Sequence, residues 1–180
     1  MLCVWSSVPD FANTPGSQLL LSGGGGAEGF RLYSIEVDDG HARVAREIIE
    51  MAGFGDRVEV IVAHDVEDGL TEVVKRRGVG GGEPFVDVLF VDHDKDCYLP
   101  DIKIIIDAGA LLPGAVVVAD NVLMGRIDDY LEFVRGEARR EGGIFVSSRL
   151  VESTVEYCEP DKDDWGEDDL KDGVEISVLR

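Results

Sequence analysis

The sequence predicts an α/β fold: a doubly wound, mostly parallel sheet with an antiparallel hairpin at its C-terminal edge. From Phe30 onward, short β-branched runs alternate with segments whose apolar residues recur at helical spacing. Strands that alternate with helices are typical of parallel sheets covered on both faces. The last two apolar runs, "IFVSSRLVES" and "GVEISVL", have no helical segment between them, which predicts the hairpin.

The series begins with a strand, a helix and a second strand. "RLYSIEV" is a short strand, and Asp38 and Asp39 follow it at the position of a helix N-cap. Gly53 provides the stop signal of this helix. Three apolar residues recur in it at helical spacing: Val44, Ile48 and Met51. The β-branched run "VEVIVA" then predicts the second strand.

The remaining elements continue the alternation. A helix around Leu70 precedes "VDVLFVD", whose nearly continuous apolar character suits a strand buried on both faces. A helix marked by Ile102 and Ile105 leads to the strand in "AVVVADN", and residues 128–140 form a further helix. The acidic run at 161–172 is predicted to be a solvated loop between the two hairpin strands.

The first 29 residues differ from the rest and are predicted to be an irregular segment rich in Gly and Pro, before a domain at 30–180. An alternative interprets "QLLLSGGGG" as a strand that leads into a Gly-rich cofactor loop. Only residues 23–30 separate that run from the next strand, whereas a crossover between parallel strands takes about a dozen residues or more. A linker is therefore the favoured interpretation.

Composition limits the possible functions. A chain of 180 residues is most simply one domain. The net charge of −20 argues against nucleic acid and anionic membranes as partners. Cys3, Cys97 and Cys158 lack metal-ligand spacing and indicate free thiols in a reducing compartment. With no apolar run long enough for a bilayer and no signal-peptide pattern, we expect a cytoplasmic protein. We further expect it to be a monomer.

Acidic residues end three of the predicted strands: Glu36, Asp92, and Asp120 with its neighbour Asn121. A single acid at such a position often caps the next helix, but three strands that end this way are harder to explain as caps. Ligands of doubly wound sheets bind outside the carboxyl ends of the strands. Carboxylate and amide oxygens are ligands for a hard divalent cation, so Asp92, Asp120 and Asn121 predict a Mg²⁺ site.

Three further side chains accompany this predicted site. Lys95 lies three residues after Asp92 and is placed to act as a general base. His93 is interpreted as a packing or hydrogen-bonding residue, because oxygen-only coordination needs no imidazole. A carboxylate at the end of the second strand of a nucleotide-binding sheet commonly binds ribose hydroxyls, and Glu36 has this position.

At these residues the sequence resembles the catechol O-methyltransferases. "DVLFVDHDKDCYLPD" resembles that family's stretch with an Asp-His-aromatic-Lys core and a downstream Tyr, and "LLPGAVVVADNV" is similar to its Ala-Asp-Asn-Val segment. "YSIEVDD" matches the ribose-binding strand, and "DGVEIS" matches the last strand. The resemblance runs from about Phe30 to Arg180 and implies a Rossmann-like methyltransferase fold that transfers methyl from S-adenosylmethionine to one hydroxyl of a catechol.

The resemblance also implies roles for individual residues. Lys95 would take the proton of the attacking hydroxyl. The implied metal ligands are Asp92, Asp120 and Asn121. The implied cofactor contacts are Glu36, Val37, Asp65, Asp92 and His93. The implied substrate contacts are Asp92, Lys95, Asn121 and a glutamate that binds the second hydroxyl, for which Glu152 is the better match by strand spacing and Glu156 the rival.

The sequence departs from the family at three places. Asp94 stands where the family has an aromatic residue, and His64 and Asp65 stand where it has a small hydroxyl residue. The family's first strand and Gly-rich loop have no recognisable counterpart in residues 1–29, which implies a truncated member. The neighbouring strands would then lack a ladder partner, with "SQLLLSG" as a makeshift replacement, and the chain would be poorly soluble or molten. The alternatives are an inactive paralogue or gene-model fragment that retains metal binding or an interaction role, and another Mg²⁺ enzyme such as a phosphatase.

Overall fold

The structure, a computed structural model, describes residues 2–7, 30–78, 83–154 and 171–180. The strands are β1 (Leu2–Ser7), β2 (Phe30–Glu36), β3 (Val58–Val62), β4 (Val86–Val91), β5 (Leu111–Ala119), β6 (Phe145–Thr154) and β7 (Lys171–Leu179). The helices are α1 (Asp39–Met51), α2 (Val66–Arg77), α3 (Tyr98–Asp107) and α4 (Asp128–Arg139), and a short 3-10 helix (Lys95–Cys97) precedes α3.

The strands of the described residues form one sheet in the order β3-β2-β1-β4-β5-β7-β6. β2 pairs with β3 and β4 pairs with β5 in parallel, whereas β1 and β7 are antiparallel to the strands on both their sides. Strands β2 to β6 therefore run in one direction, and β1 and β7 run in the other. The predicted α/β class and the antiparallel pair at the C-terminal edge are confirmed.

Local hydrogen bonds mark the helix ends, and they confirm the N-cap predicted at the start of α1. Asp38 caps α1, because its Oδ1 accepts the N–H of His41 at 2.8 Å. Asp65 caps α2 by accepting the N–H of Asp68 at 2.8 Å. Gly78 ends α2 in the left-handed conformation with φ of 67°, which a residue without Cβ adopts readily.

The beginning of β7 differs from its prediction. Lys171 and Asp172 belong to the strand and pair with Thr154 and Ser153, so the predicted loop does not extend to residue 172. Asp172 is only 4% exposed, because its carboxylate accepts hydrogen bonds from inside the molecule instead of facing solvent. The rest of the acidic run, residues 161–170, lies outside the described residues.

The centre of the sheet also differs from its prediction. β1 lies between β2 and β4 and supplies a ladder partner to both, so the expected loss of pairing is not found. Leu2 pairs with Ile35 and Val91 at the carboxyl ends of the neighbouring strands, and Ser7 pairs with Phe30 at the opposite edge. An antiparallel strand satisfies the same backbone groups as a parallel one. "SQLLLSG" lies outside the described residues.

Burial differs among the helices. Ile102 and Ile105 of α3 and Tyr130 and Val134 of α4 belong to one buried core with residues of β4 and β5. Helix α1 was predicted correctly, but its three periodic apolar residues are not buried by the described residues: Val44, Ile48 and Met51 are 49%, 60% and 88% exposed. Nowhere in the described ranges is there a helix both long and apolar enough to cross a membrane.

Candidate active site

Four predicted site residues meet at the carboxyl ends of β4 and β5. The ammonium Nζ of Lys95 lies 3.2 Å from Oδ1 of Asp92 and 3.4 Å from Oδ1 of Asn121. It also lies 3.4 Å from the backbone carbonyl oxygen of Asp120. The backbone N–H of Asp120 donates to the carbonyl of Val91 at 3.0 Å, which ties the ends of the two strands together.

Asn121 has a constrained backbone and a constrained side chain. Its φ is 54°, in the left-handed region that Asn tolerates better than most residues. Its N–H donates to Oδ1 of Asp120 at 2.9 Å, and its Nδ2 donates to Oδ2 of Asp172 at 2.8 Å. The amide oxygen therefore faces Lys95 and the interior of the site.

Tyr98 is a site residue that the sequence interpretation did not select. Its hydroxyl accepts a hydrogen bond from Lys95 Nζ at 2.6 Å and donates to the carbonyl of Asp120 at 3.0 Å. Burial, and then the negative charge of Asp92, raises the pKa of Tyr98, so the hydroxyl keeps its proton. The signal available in the sequence was the spacing of three residues between Lys95 and Tyr98, which aligns two side chains at the start of a helix.

Gly125, in the segment that follows β5 and Asn121, lies against the aliphatic stem of Lys95. A Cβ on Gly125 would stand 2.8 Å from the carbonyl oxygen of Asn121, and 3.1 and 3.2 Å from Cγ and Cδ of Lys95. The close approach of this backbone confines the aliphatic stem of Lys95. The sequence contained no pattern that singled out this glycine, because the contact is long-range.

The donor set fits a hard divalent cation. Side-chain oxygens of Asp92 and Asn121 point to one position that a positive ammonium group approaches, and the carboxylate of Asp120 is adjacent. No three His, Cys, Asp or Glu side chains of the described ranges cluster as a metal site. A metal here would consequently depend on the amide oxygen of Asn121 as a ligand beside the two carboxylates.

The predicted cofactor residues lie further along the same edge of the sheet. Oε1 of Glu36 accepts the N–H groups of Val37 and Asp38 at 2.8 and 3.0 Å, which leaves Oε2 for a ligand. Asp65 uses Oδ1 to cap α2. With neighbouring strands about 4.8 Å apart, the end of β2 lies about 10 Å from the end of β4 across the sheet. An elongated ligand would be needed to contact both.

Two other predicted residues lie beside the Asp92 group. His93 packs against Tyr98 with ring centroids 5.0 Å apart. Its Nε2 lies 2.9 Å from Oδ2 of Asp101, in a geometry outside that of a hydrogen bond. Glu152 is exposed on β6 and pairs with Gly173, the residue after Asp172. Its rival Glu156 lies outside the described residues.

The comparisons agree with this architecture. The sequence model of the O-methyltransferase family matches residues 16–132, and the chain belongs to that family. The match begins before Phe30, so it includes part of the segment in which the motif resemblance found no counterpart. The solved structure of an O-methyltransferase from Bacillus cereus in complex with SAH has a TM-score of 0.59 at 24% identity, over 83% of this chain and 63% of that one.

Two relatives are similar in sequence. Catechol O-methyltransferase of Bos taurus is 36% identical over 131 residues, which are 73% of this chain and 46% of the relative. A probable O-methyltransferase of Mycobacterium tuberculosis is 40% identical over 128 residues, which are 71% of this chain and 52% of the relative. The chain thus spans about half the length of these relatives.

Proposed function

We propose that this protein transfers the methyl group of S-adenosylmethionine to one hydroxyl of a catechol-type diol, with the assistance of Mg²⁺. The observation that carries the proposal is the convergence of Lys95 Nζ with the oxygens of Asp92 and Asn121. Membership of the O-methyltransferase family supports the reaction class, and the similarity to bovine catechol O-methyltransferase supports the substrate class.

Each side chain has a role in the proposed reaction. Asp92, Asp120 and Asn121 would hold Mg²⁺, which when bound supplies Lewis-acid activation of the diol and fixes its orientation. In its neutral amine form, Lys95 would accept the proton of the attacking hydroxyl; the oxygen would form the new bond to the methyl carbon as the carbon–sulfur bond breaks, and the sulfur would leave as the thioether of S-adenosylhomocysteine. Tyr98 holds Lys95 in place through the 2.6 Å hydrogen bond. Glu152 would accept the second hydroxyl.

The cofactor side of the proposal rests on Glu36. Its Oε1 is held by two backbone N–H groups, so Oε2 is presented to a ribose hydroxyl in a fixed orientation. Val37, Asp65 and His93 would complete the contacts of the cofactor. We also propose that the protein acts as a cytoplasmic monomer, and the free thiol of Cys97 is compatible with a reducing compartment.

One observation favours a second candidate, an inactive paralogue that keeps only metal binding or an interaction role. In a parallel cofactor-binding sheet, the first strand leads into the Gly-rich loop at the edge where ligands bind. Here β1 is antiparallel, so the chain leaves β1 at Ser7, beside Phe30 and on the edge opposite Glu36 and Asp92. A Gly-rich cofactor loop cannot follow β1 directly at the ligand edge.

The test is a radiolabelled methyl-transfer assay with catechol, with Mg²⁺ or with EDTA. We expect Mg²⁺-dependent labelling, and a loss of about 10²–10⁴-fold in Lys95→Met, because that variant lacks the general base. Lys103→Met is the matched control, since Lys103 contacts the ring of Phe133 away from the site. Full activity in Lys95→Met contradicts the assigned role. The second candidate is supported if the wild-type protein binds Mn²⁺, does not bind S-adenosylmethionine and forms no labelled product.

A further inference from the structure

Asp172 is a buried carboxylate that contacts the loop of the proposed metal ligands from another strand. Its Oδ1 accepts the N–H of Gly173 at 2.7 Å and the N–H of Met124 at 3.3 Å. Its Oδ2 accepts Nδ2 of Asn121 at 2.8 Å. All three partners are N–H donors and both carboxylate oxygens accept, so the side chain is fully engaged in hydrogen bonds at a site that is 4% exposed.

The contact with Asp172 determines which end of the Asn121 amide faces the site. The oxygen and nitrogen of an Asn amide occupy nearly the same space, and hydrogen-bond partners alone decide between the two orientations. A carboxylate repels an amide oxygen and accepts from an amide nitrogen. The NH₂ group of Asn121 must therefore face Asp172, and its oxygen must face Lys95 and the position proposed for the cation.

The same residue connects the loop after β5 to strand β7. Besides the bond from Met124 to Asp172, the N–H of Val122 donates to the carbonyl of Gly173 at 3.0 Å. Gly173 itself has little space, since a Cβ there would stand 2.8 Å from Cδ1 of Leu150 and 3.1 Å from the carbonyl of Val151. Strand β7 and the loop after β5, which carries Asn121, are thus held at a fixed distance.

We propose that Asp172 is a positioning residue, which orients the Asn121 amide so that its oxygen faces the cation and thereby sets the metal affinity of the site. This inference rests on the metal centre of the proposed function. Outer partners that orient a metal ligand typically change affinity by about 10–100-fold when they are replaced.

The test measures Mn²⁺ binding to the full chain by electron paramagnetic resonance in four variants. In Asp172→Asn, the new amide keeps its oxygen toward the N–H of Gly173 and turns its NH₂ group toward Asn121. The Asn121 amide then rotates and presents nitrogen to the cation, so we expect affinity to fall at least about tenfold. Asp107→Asn is the matched control, because Asp107 is exposed at the end of α3 and we expect unchanged affinity.

The decisive variant exchanges the two side chains. In Asp172→Asn combined with Asn121→Asp, the amide introduced on β7 donates to the carboxylate introduced after β5. The second oxygen of that carboxylate faces the cation, so binding should return. Asn121→Asp alone places two carboxylates face to face and should not bind more tightly than wild type. Circular dichroism checks that each variant keeps the fold.

The outcomes separate this inference from the proposed function. Unchanged Mn²⁺ affinity in a folded Asp172→Asn variant, or a double variant as weak as the single one, overturns the positioning role while the metal centre stands. A wild-type protein without Mn²⁺ binding removes the metal centre and the positioning role together. Loss in the single variant and recovery in the double variant supports the inference.

Discussion

The two halves of the sheet, an N-terminal half with β3 and β2 and a C-terminal half with β4, β5, β7 and β6, are held together in different ways. On the C-terminal side, α3 and α4 share one buried core with β4 and β5, and the site residues contact one another across long sequence distances. Asn121 contacts Asp172, and Arg135 forms a paired hydrogen bond with the fully buried Glu175 at 3.0 and 2.6 Å. On the N-terminal side, Glu36 and Asp65 bond only to backbone groups one to three residues away among the contacts described above.

This difference separates the proposed metal centre from the proposed cofactor site. Long-range contacts within the described residues fix the positions of the proposed metal ligands relative to one another. The N-terminal side has an antiparallel central strand and a helix, α1, whose apolar face the described residues leave exposed. We conclude that the described residues hold the proposed metal centre in place by more long-range contacts than the proposed cofactor site.

The largest expected effect compares two isoleucines on the two sides. Ile105 of α3 is fully buried, whereas Ile48 of α1 is 60% exposed. Ile105→Ala removes core contacts and should lower the free energy of unfolding by about 2–5 kcal/mol. Ile48→Ala should change it by less than about 0.5 kcal/mol, as at other exposed positions. Urea denaturation measures both. A similar loss in both variants would mean that α1 packs against chain outside the described residues.

A smaller effect concerns the confinement of Lys95. Gly125→Ala places a methyl group 2.8 Å from a backbone oxygen and against the Lys95 stem, so the loop must shift. We expect kcat to fall by at least about tenfold, since displacement of a catalytic group by about 1 Å can reduce the rate 10²-fold.

Gly136→Ala is the control for this variant. Nothing lies within 4 Å of the added Cβ on α4, so activity should be unchanged, and stability should rise by about 0.5–1 kcal/mol through helix propensity. Equal activity of the Gly125→Ala and wild-type enzymes would show that this backbone does not confine Lys95.

The smallest expected effect is a pH dependence. Burial, and then the negative charge of Glu175, raises the pKa of Tyr130. Burial also raises the pKa of Tyr33 on the other side, but Arg77 opposes that shift. An unfolded tyrosine ionises near pH 10, so the stability gained by keeping the hydroxyl neutral is complete below about pH 10 and is lost as the pH rises.

Melting curves between pH 7 and about pH 11 test this dependence. The wild-type Tm should fall at the alkaline end. Tyr130→Phe should reduce that fall, and Tyr33→Phe should reduce it less, because Arg77 offsets part of the effect of burial at Tyr33. Tyr130→Phe should leave Tm at neutral pH nearly unchanged, since the hydroxyl of Tyr130 has no hydrogen-bond partner in the described part of the chain. If Tm falls equally with pH in the wild-type protein and both variants, the raised pKa of Tyr130 is not the cause of the alkaline loss of stability.

The sequence predicted the elements well where local rules determine them. The cap at Asp38 depends on a neighbour three residues away, and the strand-end positions of Asp92 and Asp120 follow from the alternation of strands and helices. Strand β1 lies in the segment that was predicted to be irregular, and its direction could not be predicted, because either direction satisfies the backbone groups of its neighbours.

The burial of Asp172 could not be predicted either. A charge run is on average a solvated loop, and only the long-range contact with Asn121 makes this aspartate an exception. The exposure of the α1 face has a related cause: periodicity predicts a helix and its apolar stripe, but it does not specify what covers the stripe.

The most direct test of the central claim is a crystal structure of the protein grown with Mn²⁺, with anomalous difference density measured at the manganese edge. We predict one strong peak at the carboxyl ends of β4 and β5, bound to oxygens of Asp92, Asp120 and Asn121. In that crystal Nζ of Lys95 should lie farther from Oδ1 of Asp92 than the 3.2 Å found here. A map without a peak at these residues, with Lys95 still in contact with Asp92 and Asn121, would contradict the proposed metal centre.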